Sequence, residues 1–222
     1  MSAPVYQLDR VNRIFGTTHA VRDVGFDLAA GQRLGIVGES GSGKSTLGRV
    51  LLRLIRETSG KVVYKEKDIL AMPPAEFKKY RAELQMIFQD PFSSLDPRLT
   101  ISETIAEGME IHQPGLASSE RQARMADLVA KVGLPADALR RYPHQFSGGQ
   151  RQRIGLARSL AVNPAVVICD ECTSALDVSV QAQILNLLKD LQHELGLAYL
   201  FITHDLGVVS FLAERIAVMY LG

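Results

Sequence analysis

The apolar run Leu34-Gly35-Ile36-Val37 leads into Gly38, Glu39, Ser40, Gly41, Ser42, Gly43, Lys44, Ser45 and Thr46, which carry the pattern G-x-x-x-x-G-K-[ST]. An apolar run before such a loop reads as a buried strand, and helical spacing after it supplies the strand–loop–helix setting the motif needs. The chemistry follows from the residue types. Glycines at 38, 41 and 43 let successive backbone N–H groups turn inward onto an anion, Lys44 reaches terminal phosphates, and Ser45 offers a hydroxyl to Mg²⁺. The start of the helix adds a partial positive charge. A glycine-rich turn with no ligand would have no use for a lysine at 44, so the loop implies a site for a nucleoside triphosphate.

Outward from the loop, residues 5–15 and 21–28 have strand-like apolar spacing around a Gly16-Thr17-Thr18 turn, which predicts an antiparallel hairpin. Residues 34–37, 84–88, 166–169, 199–202 and 216–219 are short continuous apolar runs, the pattern of strands buried on both faces of a mostly parallel sheet. Residues 46–54 and 180–195 have helical spacing and supply crossovers. From 89 to 163 no strand pattern is found: residues 101–111, 120–132 and 148–161 read as helices, with breaks at Pro114, Gly133-Leu134-Pro135 and Tyr142-Pro143. A helical segment inserted into a sheet domain is the expectation.

Three further features bear on chemistry. Ser147 is an apt N-cap for a helix opening with Gly148, Gly149 and Gln150, and the two glycines leave its first N–H groups open to a second anion. Taken alone, that tetrapeptide is an ordinary capped turn. The run 165–169 ends in Asp170-Glu171, which places one carboxylate to hold a Mg²⁺ shell and another to polarise water. His204 ends the run 200–203 and Gln89 follows the run 84–88, each just past a strand. A lone histidine there is more often structural. Two anion sites beside one phosphate loop call for a common explanation.

In their order along the chain these residues resemble the nucleotide-binding domain of ABC transporters. Phe15 matches the aromatic that stacks on adenine, Gly38 to Ser45 the Walker A loop, Gln89 the Q-loop, and Ser147 to Gln150 the signature. Asp170 and Glu171 match Walker B, Ser174 to Asp177 the D-loop, and His204 the switch histidine. The resemblance implies an α/β fold, a P-loop NTPase (RecA-like) core with an antiparallel β-subdomain and an inserted helical signature subdomain. Residues 1–89 and 164–222 would form the first two and residues 90–163 the third. It also implies ATP and Mg²⁺ as ligands, with Glu171, His204, Lys44 and Gln89 catalytic and Ser45, Gln89 and Asp170 around the metal. Asp177 and the signature would belong to the nucleotide site. Two domains would pair head to tail, each signature closing over the other's Walker A, which accounts for the two anion sites.

Within the family, residues 89–100 and 145–153 resemble the di- and oligopeptide importers, with glutathione and nickel importers as relatives. That implies a second ATPase subunit, two membrane-spanning permease subunits, an external binding protein, and a place on the cytoplasmic face of the membrane. Residues 93–98 would dock on the permease. The subfamily continues past the point where Gly222 ends this sequence, so its C-terminal extension is expected to be missing. Cys172 departs from the family, which usually has proline there, so φ at the D-loop entry is not fixed by a ring. The resulting Cys169-x-x-Cys172 pair could suggest a metal or redox site, but the acids between the cysteines already have roles and Cys169 belongs to a strand.

Composition agrees with a globular nucleotide-binding domain. Hydrophobic residues make up 46 % and charged residues 22 %, both ordinary values. A net charge of +1 gives no general attraction to nucleic acid or acidic lipid. No apolar run is long enough to span a bilayer, and the first ten residues hold no apolar signal core. Two cysteines allow no disulfide framework beyond that one pair. Soluble ABC ATPases of DNA repair would share the nucleotide motifs, but they insert coiled coils or zinc elements between Gln89 and Ser147, where this chain has no cysteine.

Overall fold

The protein is described by a computed structural model over residues 4–90 and 94–222. β1 (Pro4–Phe15) and β2 (Thr18–Ala29) pair antiparallel, as the alternation implied. β3 (Arg33–Val37) runs into the phosphate-loop motif and α1 (Lys44–Leu51). β4 (Ser59–Tyr64) and β5 (Lys67–Asp68) then extend the first sheet to the order β2-β1-β4-β5. These two strands are absent from the sequence reading. They are joined through Lys65 and Glu66, both at positive φ (47° and 67°), so the turn lacks the Asn-Gly or Asp-Gly signature that marks such hairpins.

A short helix, α2 (Pro74–Phe77), precedes β6 (Leu84–Ile87). Three helices follow: α3 (Ile101–His112), α4 (Ser118–Lys131) and α5 (Gly148–Leu160). The chain returns to the sheet through β7 (Val166–Asp170), α6 (Val178–Leu195), β8 (Ala198–Thr203), α7 (Leu206–Leu212) and β9 (Arg215–Val218). The second sheet is parallel throughout, in the order β6-β7-β8-β3-β9. The α/β class, the antiparallel β-subdomain and the inserted helices agree with the expectation.

The continuous apolar runs are explained by a core on each face of the parallel sheet. Val166, Ile168, Leu200 and Ile202 face α1 and the antiparallel sheet, while Val167, Cys169, Tyr199 and Phe201 face α3 to α6. β9 departs from the expected double burial. It is the edge strand, with Ile216 49 % and Val218 76 % exposed. Glu83, just before β6, joins the two sheets by accepting from the Tyr64 hydroxyl and the Lys65 ammonium. Burial alone would raise the Glu83 pKa, but the bonds from Lys65 and Tyr64 outweigh it and hold the carboxyl below its usual value.

The helical layer is locked by its caps and its apolar faces. Thr100 and Glu103 close a capping box on α3 and bury Ile101, Ile105 and Met109 at helical spacing. Leu95 belongs to this core at 4 % exposure, so it cannot present a docking side chain as residues 93–98 were expected to. Asp96 and Arg98 remain at the surface, paired with each other, and Ser93 lies outside the described residues. Arg158 on α5 is mostly buried and donates to the Ser94 carbonyl, tying this segment to the helix that starts at the signature. Among the described residues no helix is long and apolar enough to cross a membrane.

Candidate active site

The phosphate-loop motif wraps the C-terminal end of β3, and its backbone permits little besides glycine at two points. Gly43 sits at φ 98°, where a Cβ would lie 1.8 Å from the Ala20 carbonyl oxygen, and a Cβ on Gly38 would lie 2.2 Å from that of Met219. Gly43 is also the N-cap of α1 and offers no capping side chain, so the first N–H groups of the helix are left for an external acceptor. Lys44 is 4 % exposed, and its ammonium donates to the Gly38 and Glu39 carbonyls at 2.8 and 2.7 Å. A third contact, with Ser42 Oγ, is 3.4 Å. The charge is therefore held over the loop by neutral acceptors, an arrangement that suits a phosphate.

The end of β7 brings the acids to this loop. Ser45 Oγ donates to Asp170 Oδ1 at 2.7 Å, so two of the three residues expected around the metal already converge, whereas the third, Gln89, is bonded to Glu171. Asp170 is 2 % exposed, and burial raises its pKa although Ser45, Arg49 and Lys44 pull the other way. A buried carboxylate with incomplete charge compensation and a hydroxyl beside it is an all-oxygen donor set that fits Mg²⁺. Arg49 stands one turn beyond Ser45 on α1. The i, i+4 spacing from Ser45 was the signal that could have found it.

Glu171 projects between two elements. Gln89 Nε2 donates to Glu171 Oε2 at 2.8 Å, and His204 Nδ1 lies 3.1 Å from Oε1. Gln89 follows β6, Glu171 follows β7 and His204 follows β8, three adjacent strands of the sheet. Glu171 takes φ 46°, and its own N–H is anchored on the Ile202 carbonyl at 2.8 Å. Asp205 caps α7 by accepting from Gly207 and Val208, which leaves His204 free to face Glu171. A cavity of about 690 Å³ opens here, lined by Gly38, Glu39, Ser40, Glu171 and His204, with Leu206 and Val218 as apolar walls. Nothing in the sequence marks those two walls, which come from α7 and the edge strand.

Other expected residues lie elsewhere. Phe15 ends β1 outside this cavity, 43 % exposed, with the Arg13 guanidinium 4.2 Å from its ring centre. Ser147, Gly148, Gly149 and Gln150 line no part of it either. Ser147 and Gln150 form a capping box at the start of α5, and Gly149 packs against Val180 of α6. Asp177 caps α6, accepting from Val180 N–H at 2.9 Å and from the Ser179 hydroxyl at 2.8 Å. Of the two cysteines, Cys169 has its thiol pKa pushed well up by burial, with Cys172 and Asp170 adding to the effect.

Known proteins similar to this chain match most of its length. The family described as ABC transporter matches residues 21–174. The oligopeptide transport ATP-binding protein OppF of Haemophilus influenzae is 50 % identical over 206 residues, covering 93 % of this chain and 62 % of that protein. The glutathione import ATP-binding protein GsiA of Escherichia coli K12 is 51 % identical over 212 residues, covering 96 % of this chain and 34 % of that one. This chain thus spans less than two thirds of either relative. The dimeric post-hydrolysis structure of the ATP-binding cassette MJ0796, bound to ADP and Pi, superposes with a TM-score of 0.87 at 31 % identity, covering 98 % of this chain and 95 % of that one.

Proposed function

This chain belongs to the ABC transporter family, and from that premise we propose that it is the ATP-hydrolysing subunit of an importer of di- or oligopeptides. The observation that carries the enzymatic reading is the Glu171 carboxylate, held from both sides by Gln89 and His204 in the wall of a cavity that Gly38, Glu39 and Ser40 of the phosphate-loop motif also line. Residues 1–89 and 164–222 form the nucleotide core with its β-subdomain, and residues 90–163 carry the signature.

Lys44 exchanges its loop carbonyls for the terminal phosphates, and the uncapped N–H groups of α1 hold the same oxygens. Mg²⁺, when bound, neutralises charge on those oxygens, and Ser45, Asp170 and Gln89 are the residues that would hold it. Glu171 accepts the proton of the attacking water. His204 Nδ1 faces a carboxylate oxygen, which can only accept, so the proton of that bond sits on His204 and the ring orients Glu171. Gln89 reports on the same carboxylate from the mouth of the helical segment.

The signature lines no part of this cavity, which supports a head-to-tail pair in which Ser147 and Gly149 meet the partner's nucleotide and Asp177 lies at the same junction. The second ATPase, two permease subunits and an external binding protein complete the assembly on the cytoplasmic face of the membrane. Permease docking rests on the exposed Asp96–Arg98 pair, since Leu95 is inside. Glu171→Gln tests the reading. It should retain ATP binding, slow hydrolysis by about three orders of magnitude or more, and accumulate an ATP-bound dimer in light scattering. A variant that turns over ATP at the parent rate and stays monomeric would remove Glu171 as the base.

A further inference from the structure

Arg13 and Phe15 share β1, and the Arg13 guanidinium lies over the Phe15 ring, 4.2 Å from its centre. A regular strand would not set the two so close, since residues two apart stand side by side at about 7 Å. The pairing with β2 is irregular on both sides of Arg13: Val11 pairs with Val24, Arg13 with Val21 and Ile14 with His19. Irregularities of this kind bend a strand and re-aim its side chains. Among the described residues Arg13 has no ion-pair partner, and its Nε is buried without a hydrogen bond. An unmet N–H costs free energy, and the contact that offsets it is with the ring. The pair stands beside the phosphate-loop motif. Ala20, whose carbonyl oxygen abuts Gly43, lies between Thr18 and Val21, the β2 partners of Phe15 and Arg13. A nucleotide whose phosphates sit on the loop can extend its base toward this end of the hairpin. Phe15 remains 43 % exposed although one face is covered, so its open surface is the other face and the rim.

We propose that Arg13 positions the nucleobase: it backs the Phe15 ring from one face and so presents the opposite face for a purine to stack on. This rests on the reading of Phe15 as the residue that stacks on adenine. Two physical effects act together. A cation resting on one face fixes the side-chain torsions of the ring before the base arrives, which lowers the ordering cost of binding. The cation also draws the π density of the ring toward itself, and the opposite face, made less negative, stacks better on an electron-rich purine. In this role Arg13 acts through Phe15 and makes no contact with the phosphates.

Equilibrium binding to the full chain tests this with two ligands, ATP and inorganic tripolyphosphate, which has the phosphates without the base. Arg13→Ala should weaken ATP binding about 2–5-fold, the span of a cation–π contact at an exposed site, and leave tripolyphosphate binding unchanged. Arg13→Lys keeps the charge and should bind ATP as the parent does. Arg13→Met keeps the bulk without the charge and should behave as Arg13→Ala. Phe15→Ala should weaken ATP binding by about 5-fold or more, as loss of base stacking does, and in that background Arg13→Ala should add nothing. A thermal melt of each variant establishes that it is folded. If Phe15→Ala weakens ATP binding and Arg13→Ala does not, the base reading stands and the positioning role is overturned. If Phe15→Ala leaves ATP binding unchanged, the base reading itself fails and takes the proposal with it. Equal weakening of ATP and tripolyphosphate by Arg13→Ala would place the residue on the phosphates, and tighter ATP binding would mean that the guanidinium competes with the base for the ring. Either result overturns the proposal, as does parent-like binding by Arg13→Met, which would reduce the contact to packing.

Discussion

Gly149 of the signature is fixed by packing as well as by any ligand, and the two roles can be separated. A Cβ there would stand 2.3 Å from Cγ1 of Val180, well inside van der Waals contact. Val180 lies in the first turn of α6, pinned by the Asp177 cap, and a β-branched side chain in a helix has one strongly preferred rotamer, so it cannot swing aside. Gly149→Ala therefore forces α5 from α6. Overpacking of this kind costs about 1–3 kcal/mol. Replacing a helical glycine by alanine returns about 0.5–1 kcal/mol, leaving a net loss of about 0–2.5 kcal/mol, centred near 1. For a chain of this size that lowers Tm by about 3 °C at the centre of the range and by about 10 °C at most. The assay is a double-mutant cycle read by thermal unfolding. In a Val180→Ala background the methyl group has room, and Gly149→Ala should be neutral or stabilising, a coupling of about 1–3 kcal/mol. Equal losses in both backgrounds would refute the packing argument. ATPase measured on the same proteins then isolates the ligand role: if Gly149 also serves the partner's nucleotide, the double variant stays impaired after its stability is restored.

Lys44→Ala and Ser147→Arg proteins should each lack ATPase as homodimers, yet regain part of it when mixed in the assembled complex, because one composite site then has both motifs intact; inactivity despite proven mixed dimers would count against the head-to-tail pair. Glu83→Gln should lower Tm at neutral pH. A carboxyl held below its usual pKa contributes stability that is present above the unfolded value and lost as pH falls through the folded one, so parent and variant should converge in acid; a gap that persists there would sink the argument. Leu95→Ala should cost about 2–5 kcal/mol as a buried truncation. Arg98→Ala should leave Tm unchanged but lower substrate-stimulated ATPase with the permease, and unchanged stimulation would remove the docking role.

The phosphate-loop motif was legible in the sequence because its constraints are local. Gly43 at positive φ, Lys44 above the loop and the uncapped start of α1 all arise within a few residues of one another. The parallel strands were legible because a core on each face demands unbroken apolar runs, and β9 was read as buried because such a run carries no mark of lying at an edge. β4 and β5 escaped since their turn uses Lys65 and Glu66 in a conformation normally advertised by glycine and asparagine. What only the tertiary structure decided is adjacency across strands: Gln89, Glu171 and His204, far apart in the chain, meet because β6, β7 and β8 are neighbours in the sheet. It also decided that Leu95 faces inward. Local patterns encode the conformation and burial of a segment, whereas contacts between segments depend on strand order and on the turn at Glu171, which no run of neighbouring residues records.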